Sequence, residues 1–327
     1  MADPQPRVWI SQPLFDDVIA RLGEYFEVVS THEVTEYSPT RIADALRECD
    51  GALVTLNERI GGEQIAGATR LRAIANVGVG YNNLDIPTLA QAGIVATNTP
   101  DVLTETTADF GFALLMAAAR RITESERWLR EGHWKQWSFQ NMLGADLHGS
   151  KLGILGMGRI GQGIARRGAG FGMKVLYHNR NRLPEATELE ARAHYVGFDE
   201  LLAQADHLVL VLPYSKENHH LIDARALLQM KPTATLVNIA RGGLVDEGAL
   251  VDALSHGKLA AAGLDVFEGE PAINPRLLEL RNVVLTPHIA SASLATRRAM
   301  VSLAVDNLIA AMGYGPNAGA PPNPISA

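Results

Sequence analysis

The run Leu152-Gly-Ile-Leu-Gly-Met-Gly-Arg-Ile-Gly161 constrains this chain more than any other segment. Residues 152–155 have strand character and pass straight into Gly156, Gly158 and Gly161, after which a helical pattern continues to Phe171. Glycines at this G-x-G-x-x-G spacing meet three demands of a strand-to-helix turn. The first permits the tight turn, the second lets the backbone approach a pyrophosphate, and the third lets the helix pack closely on the strand. Amides at the helix start, around Arg159 and Ile160, then face the phosphates. The loop alone leaves a methyltransferase open, since an adenosyl cofactor binds at the same topological place.

What surrounds the loop narrows the choice. Strand-like runs at 152–155, 174–177, 207–212, 235–239, 260–264 and 283–285 alternate with helical segments, which predicts a doubly wound parallel sheet. An earlier alternation, with runs at 7–10, 51–54, 72–77 and 93–96, predicts another parallel sheet. A helical pattern beginning near Thr104 is expected to run past Ile122 toward Trp128 as a connector, and a last helix spans 294–312 before an irregular Gly- and Pro-rich tail. With 327 residues the chain exceeds one ordinary core, so two α/β domains are expected.

Composition excludes several functions. Acidic side chains number 36 against 29 basic ones, for a formal charge of −7, and the basic residues are scattered, so no nucleic-acid partner is expected. No stretch reaches the roughly 18 apolar residues of a membrane span, and residues 1–10 lack a secretory pattern, so the expectation is a cytoplasmic protein with no membrane partner. The single cysteine, Cys49, falls at an apolar helical position and reads as core.

The second strand of the later alternation bears on which dinucleotide would bind. A carboxylate at its end normally accepts hydrogen bonds from the adenosine ribose and repels a 2′-phosphate. Here residues 174–177 run into His178-Asn-Arg-Asn-Arg182, so Asn179 stands in the carboxylate's place, with Arg180 and Arg182 beside it. Guanidinium groups suit a 2′-phosphate, which favours NADPH and leaves NADH possible. A solvated basic loop is the competing reading.

Three further segments end strand-like runs: Val237-Asn-Ile-Ala-Arg-Gly-Gly-Leu-Val-Asp-Glu247, Gly263-Leu-Asp-Val-Phe-Glu-Gly-Glu-Pro271 and Val284-Leu-Thr-Pro-His-Ile-Ala-Ser291. In this order and spacing they resemble the D-isomer-specific 2-hydroxyacid dehydrogenase family over nearly the whole chain, and most of all its glyoxylate/hydroxypyruvate reductases, in the group that also reduces 2-ketogluconate. The resemblance implies a Rossmann cofactor domain at 101–290 inserted into a smaller flavodoxin-like substrate domain at 1–100 and 291–327, and a homodimer.

It also implies roles. Arg241 matches the substrate-binding arginine, Glu270 the acid partner and His288 the proton donor. The chemistry suits them: a 2-oxo acid gains a hydride at C2 and a proton on the developing alkoxide, and an imidazolium is a natural donor near neutral pH. Glu270 would favour the charged imidazole, and Arg241 would hold the substrate carboxylate. Taken singly, each has a plainer reading as a surface charge or turn residue. By the same resemblance Asp265 lies near the nicotinamide, and Thr107 meets the phosphates. Leu212, Pro213, Ile239, Ala240, Ala290 and Ser291 line the cofactor groove, while Leu56 and the Val79 and Gly80 amides meet the substrate. Trp134, Trp137, Phe139 and Met142 would reach a neighbouring subunit. No resident metal is expected. The competing function is a dinucleotide-sensing co-repressor with the same constellation.

Overall fold

The computed structural model describes residues 5–30, 33–34 and 36–326. It divides into two units, Met1–Leu103 with Ala292–Ala327, and Thr104–Ser291.

The first unit holds five parallel strands: β1 (Arg7–Ile10), β2 (Glu27–Ser30), β3 (Gly51–Val54), β4 (Ala73–Asn76) and β5 (Val95–Thr97), in the order β2-β1-β3-β4-β5. That is the flavodoxin-like order. The inner strands β3 and β4 are buried along their whole length, which is why they read as continuous apolar runs. The edge strand β2 is half exposed and has no such run, so sequence periodicity missed it. Helix Pro39–Glu48 starts where Ser38 Oγ accepts the Arg41 amide at 3.3 Å and Pro39 opens the first turn. Helix Leu294–Ala311 returns to this unit and packs on β3, β4 and β5. The following tail is tied down: Asn307 binds the Asn98 carbonyl and the Asn323 backbone, and Ile325 donates to Ala96. Cys49 is core, its thiol pushed up to about 11 by burial.

The second unit holds seven parallel strands, one more than expected: β6 (Lys151–Leu155), β7 (Lys174–His178), β8 (Ala193–Tyr195), β9 (His207–Leu210), β10 (Thr235–Asn238), β11 (Ala261–Leu264) and β12 (Val283–Leu285). Their order is β12-β11-β10-β9-β6-β7-β8. Only three residues long and at the edge, β8 gives no readable alternation. The order reverses at β6, which pairs with both β7 and β9, and the crevice beyond the carboxyl ends of β6 and β9 is where such sheets bind ligands.

The expected continuous helix toward Trp128 is in fact two, Thr104–Ala119 and Ile122–Arg130. Arg121 breaks it in a left-handed conformation, φ 55°, with its guanidinium on Glu124 and the Leu143 carbonyl. The returning chain closes on the break, where Ala145 donates to the Ala119 carbonyl at 2.9 Å. No helix among the described residues is long and apolar enough to cross a membrane.

Candidate active site

The glycine loop sits at the switch point. Gly156 has φ 103°, and a Cβ on it would lie 2.7 Å from the Leu212 amide nitrogen, so the turn after β6 tolerates no side chain. A Cβ on Gly161 would strike the Gly156 carbonyl, which explains the third glycine. Gly158 differs, because a Cβ there would meet nothing within 4 Å. It caps helix Arg159–Gly170 and offers no side chain to the first helical amides, the place where an anion can cap such a helix. Nearby, Thr107 is buried in the first turn of helix Thr104–Ala119, and its Oγ1 has no hydrogen-bond partner among the described residues. A helix start with no capping side chain and a buried, unsatisfied hydroxyl on the helix packed against it fit a dinucleotide's phosphates. Leu212 follows β9, while Ile239 and Ala240 are buried after β10. Pro213 is exposed.

At the end of β7 the Asn179 side chain is engaged, its Oδ1 accepting the Met157 amide at 2.6 Å. The loop thereby ties itself to the strand end where a ribose-binding acid would stand. The two arginines part ways. Arg182 Nε and Nη2 bind Glu188 at 2.9 and 2.7 Å, and Glu188 also accepts from Tyr177 Oη. Arg180 is exposed.

Beyond β11 and β12, two of the expected catalytic residues, Glu270 and His288, meet beside a buried acid. Asp265, fully buried, accepts the Ile289 and Ala290 amides at 2.8 Å and the Thr286 hydroxyl at 2.7 Å, and its carbonyl accepts the His288 amide at 2.9 Å. This clamp holds His288 in a left-handed conformation, φ 54°, which a non-glycine residue keeps only when its surroundings impose it. The imidazole then meets Glu270, Nδ1 to Oε2 at 2.8 Å. The other Glu270 oxygen accepts the Phe267 amide at 2.8 Å, which fixes the carboxylate.

Arg241 leaves β10 on a turn shaped by Asn238, whose Nδ2 donates to the Arg241 carbonyl at 2.8 Å and whose Oδ1 accepts the Ala240 amide at 3.0 Å. Gly242 follows because the backbone of Phe267 and Glu268 occupies the space a Cβ would need. Burial pulls the Arg241 guanidinium below its ordinary pKa while Glu270 opposes the pull; arginine nevertheless stays charged. For Glu270, burial pushes the carboxyl up, but the His288 hydrogen bond and charge, the Phe267 amide and Arg241 outweigh it, and its pKa lies below the usual carboxylate value. Burial raises the Asp265 pKa against the bonds it accepts.

The expected substrate contacts Leu56, Val79 and Gly80 lie in the first unit, on loops after the adjacent strands β3 and β4. Asn83 joins those loops, donating to Thr55 O, Glu58 O and Asn76 Oδ1. Asn98 and Asn76 bind the Val79 and Gly80 carbonyls at 2.9 and 3.1 Å. With the carbonyls held, the Val79 and Gly80 amides donate to no partner among the described residues. Leu56 is exposed. Sequence reasoning missed the supporting asparagines, Asn76, Asn83, Asn98 and Asn238. For Asn76, Asn98 and Asn238 the signal was an Asn at or just beyond a strand end, where its amide can satisfy a turn; Asn83, well into the loop after β4, carried none.

Comparison with known proteins shows the family and the fold. Residues 112–290, more than half of the chain, match the family model described as D-isomer specific 2-hydroxyacid dehydrogenase, NAD binding domain. A glyoxylate reductase of Thermococcus gammatolerans is 47% identical over 310 residues, 94% of this chain and 92% of that protein. Among solved structures, an NADPH-dependent glyoxylate/hydroxypyruvate reductase from Sinorhizobium meliloti, in complex with NADP and malonate, superposes with a TM-score of 0.87 at 36% identity, covering 98% of this chain and 97% of that one. A glyoxylate reductase from Paecilomyes thermophila gives a TM-score of 0.87 at 32% identity, covering 98% of each chain. The chain belongs to the D-isomer-specific 2-hydroxyacid dehydrogenase family.

Proposed function

We propose that the chain is a glyoxylate reductase that prefers NADPH and also accepts hydroxypyruvate, turning these 2-oxo acids into 2-hydroxy acids. The observation that carries this reading is the 2.8 Å pair between His288 and Glu270, on a turn clamped by buried Asp265. When bound, the reduced nicotinamide supplies the hydride. The chain's own residues do the rest. His288, held through Nδ1 by Glu270, gives its proton to the oxygen at C2. Arg241 holds the substrate carboxylate and stabilises the negative charge that develops on that oxygen. Val79 and Gly80 offer backbone amides for the carboxylate, and Leu56 contributes an apolar contact. Gly156, Gly158 and the amides around Arg159 and Ile160 take the phosphates together with Thr107.

The NADPH preference rests on Asn179 replacing a carboxylate and on exposed Arg180, with Arg182 in a lesser part because Glu188 already holds it. A homodimer is the proposed assembly, supported by the large exposed side chains Trp134, Trp137 and Phe139 on one segment. The cytoplasm is the proposed location.

Initial rates with NADPH and NADH against glyoxylate, hydroxypyruvate and 2-ketogluconate test the reading. Oxidation of NADPH that depends on glyoxylate and outpaces NADH is the expected result. Tight cofactor binding without turnover on any substrate would move the function to dinucleotide sensing.

A further inference from the structure

Away from the His288 turn, three metal-binding side chains meet whose chemistry the proposed reaction does not use. His219 and His220 follow the turn Lys216–Asn218, and Glu268 lies beyond β11. The two imidazoles stack with centroids 3.8 Å apart and 23° between their planes. Both aim Nε2 at one carboxylate: His220 lies 2.9 Å from Glu268 Oε2, and His219 lies 3.6 Å from Oε1. One ligand atom from each residue falls within 4.8 Å of the others. Tetrahedral bonds of about 2.0–2.2 Å put ligand atoms roughly 3.3–3.6 Å apart, so a small side-chain movement closes the set.

The groups are also held from behind. His220 keeps a left-handed backbone, φ 52°, and its amide donates to the Gly243 carbonyl at 2.8 Å. The Glu268 amide donates to Glu247 Oε1 at 2.7 Å. Tyr214 Oη lies 3.2 Å from His219 Nδ1. A histidine that ligates through Nε2 carries its proton on Nδ1 and gives it to an outer acceptor, and a phenol oxygen serves. An ordinary ion pair accounts for one imidazole on Glu268. A second ring stacked on the first and directed at the same carboxylate is what a shared cation explains.

We propose that His219, His220 and Glu268 form a site for a borderline divalent transition cation of the zinc class, with the remaining coordination positions left to water. Two imidazoles and one carboxylate are ligands that such ions take and that magnesium and calcium do not favour. The ion ties the segment after β9 to the loop after β11, and that loop packs on the turn carrying Gly242. Its effect is to stiffen the two segments against each other and raise the melting temperature of the chain.

The test is calorimetric titration of zinc chloride into the chelator-treated, dialysed full-length protein, with His219→Ala, Glu268→Gln and His288→Ala in parallel. The expected result is one tight equivalent per chain in the wild type and in His288→Ala. Affinity should fall about tenfold or more in His219→Ala and Glu268→Gln. The thermal shift on adding zinc should vanish in the same two variants, with unchanged circular dichroism showing that they fold. Should Glu268→Gln fail to fold, His219→Ala decides. The proposal is overturned by no tight binding in the wild type, or by unchanged affinity in His219→Ala. It is overturned equally by an equivalent that disappears only in His288→Ala, which would place the ion on the Glu270 pair. None of these readings depends on turnover.

Discussion

Two glutamates of one unit, Glu188 and Glu270, are both held below the ordinary carboxylate pKa, and their surroundings make them do different things. Glu188 takes both arms of the Arg182 fork and the Tyr177 hydroxyl, and those bonds bring it down to about 2. Its strongest partner, a guanidinium, does not release a proton at any working pH, so the cluster fixes the loop after β7 and does no chemistry. Glu270 is more subtly placed. Burial opposes its charge, and what restores the charge is an imidazole that can give its proton away. The difference teaches that a depressed carboxylate marks a reactive site only when its partner is a group able to pass a proton on and the backbone holds that partner in place. Here Asp265 does the holding.

Replacing His288 by Ala should break the reactive half of this comparison most severely. A fall in kcat of about 10²–10⁴-fold is expected, with NADPH binding by fluorescence titration nearly unchanged. Asp265→Ala should act through position. The Ile289 and Ala290 amides would lose their acceptor, at about 1–3 kcal/mol for the buried Ala290 donor and less for the half-buried Ile289 one, read by urea unfolding, with turnover falling as well. On the structural side, Arg180→Ala should weaken NADPH by roughly 10–100-fold and NADH far less, as expected for one or two charge-assisted bonds lost to a 2′-phosphate. Arg182→Ala should show a smaller NADPH effect, because its guanidinium already serves Glu188. Equal effects at the two positions would erase that distinction.

The smallest expected effect concerns acid. Because the folded-state pKa of Glu188 is depressed from 4.5 to about 2, its stabilising contribution is fully present above about 4.5 and is lost as pH falls toward 2. Unfolding curves of the wild type and Glu188→Gln should therefore differ at neutral pH and converge over that window. A difference that persists at pH 2 would remove the ionised Glu188 as its cause.

Much of this was legible in the chain because strong local patterns survive folding. The glycine loop, the apolar inner strands and the residues after β10, β11 and β12 could each be read from short segments. What escaped depends on distance. The edge strand β2 is half exposed and β8 is only three residues long, so both carry little pattern. The helix break at Arg121 follows from a loop some twenty residues on that closes against Ala119. Arg182 looked like a free phosphate ligand until folding set Glu188 and Tyr177 beside it. The His219, His220 and Glu268 cluster joins residues almost fifty positions apart, beyond the reach of any spacing rule.

The central claim is that Glu270 and His288 act as one proton-donating unit, and a double-mutant cycle on kcat for glyoxylate reduction tests it most directly. If they do, Glu270→Gln with His288→Ala should be no slower than His288→Ala alone, since the carboxylate has nothing left to charge once the imidazole is gone. If the two losses multiply instead, Glu270 works independently of His288, and the account of the site is wrong.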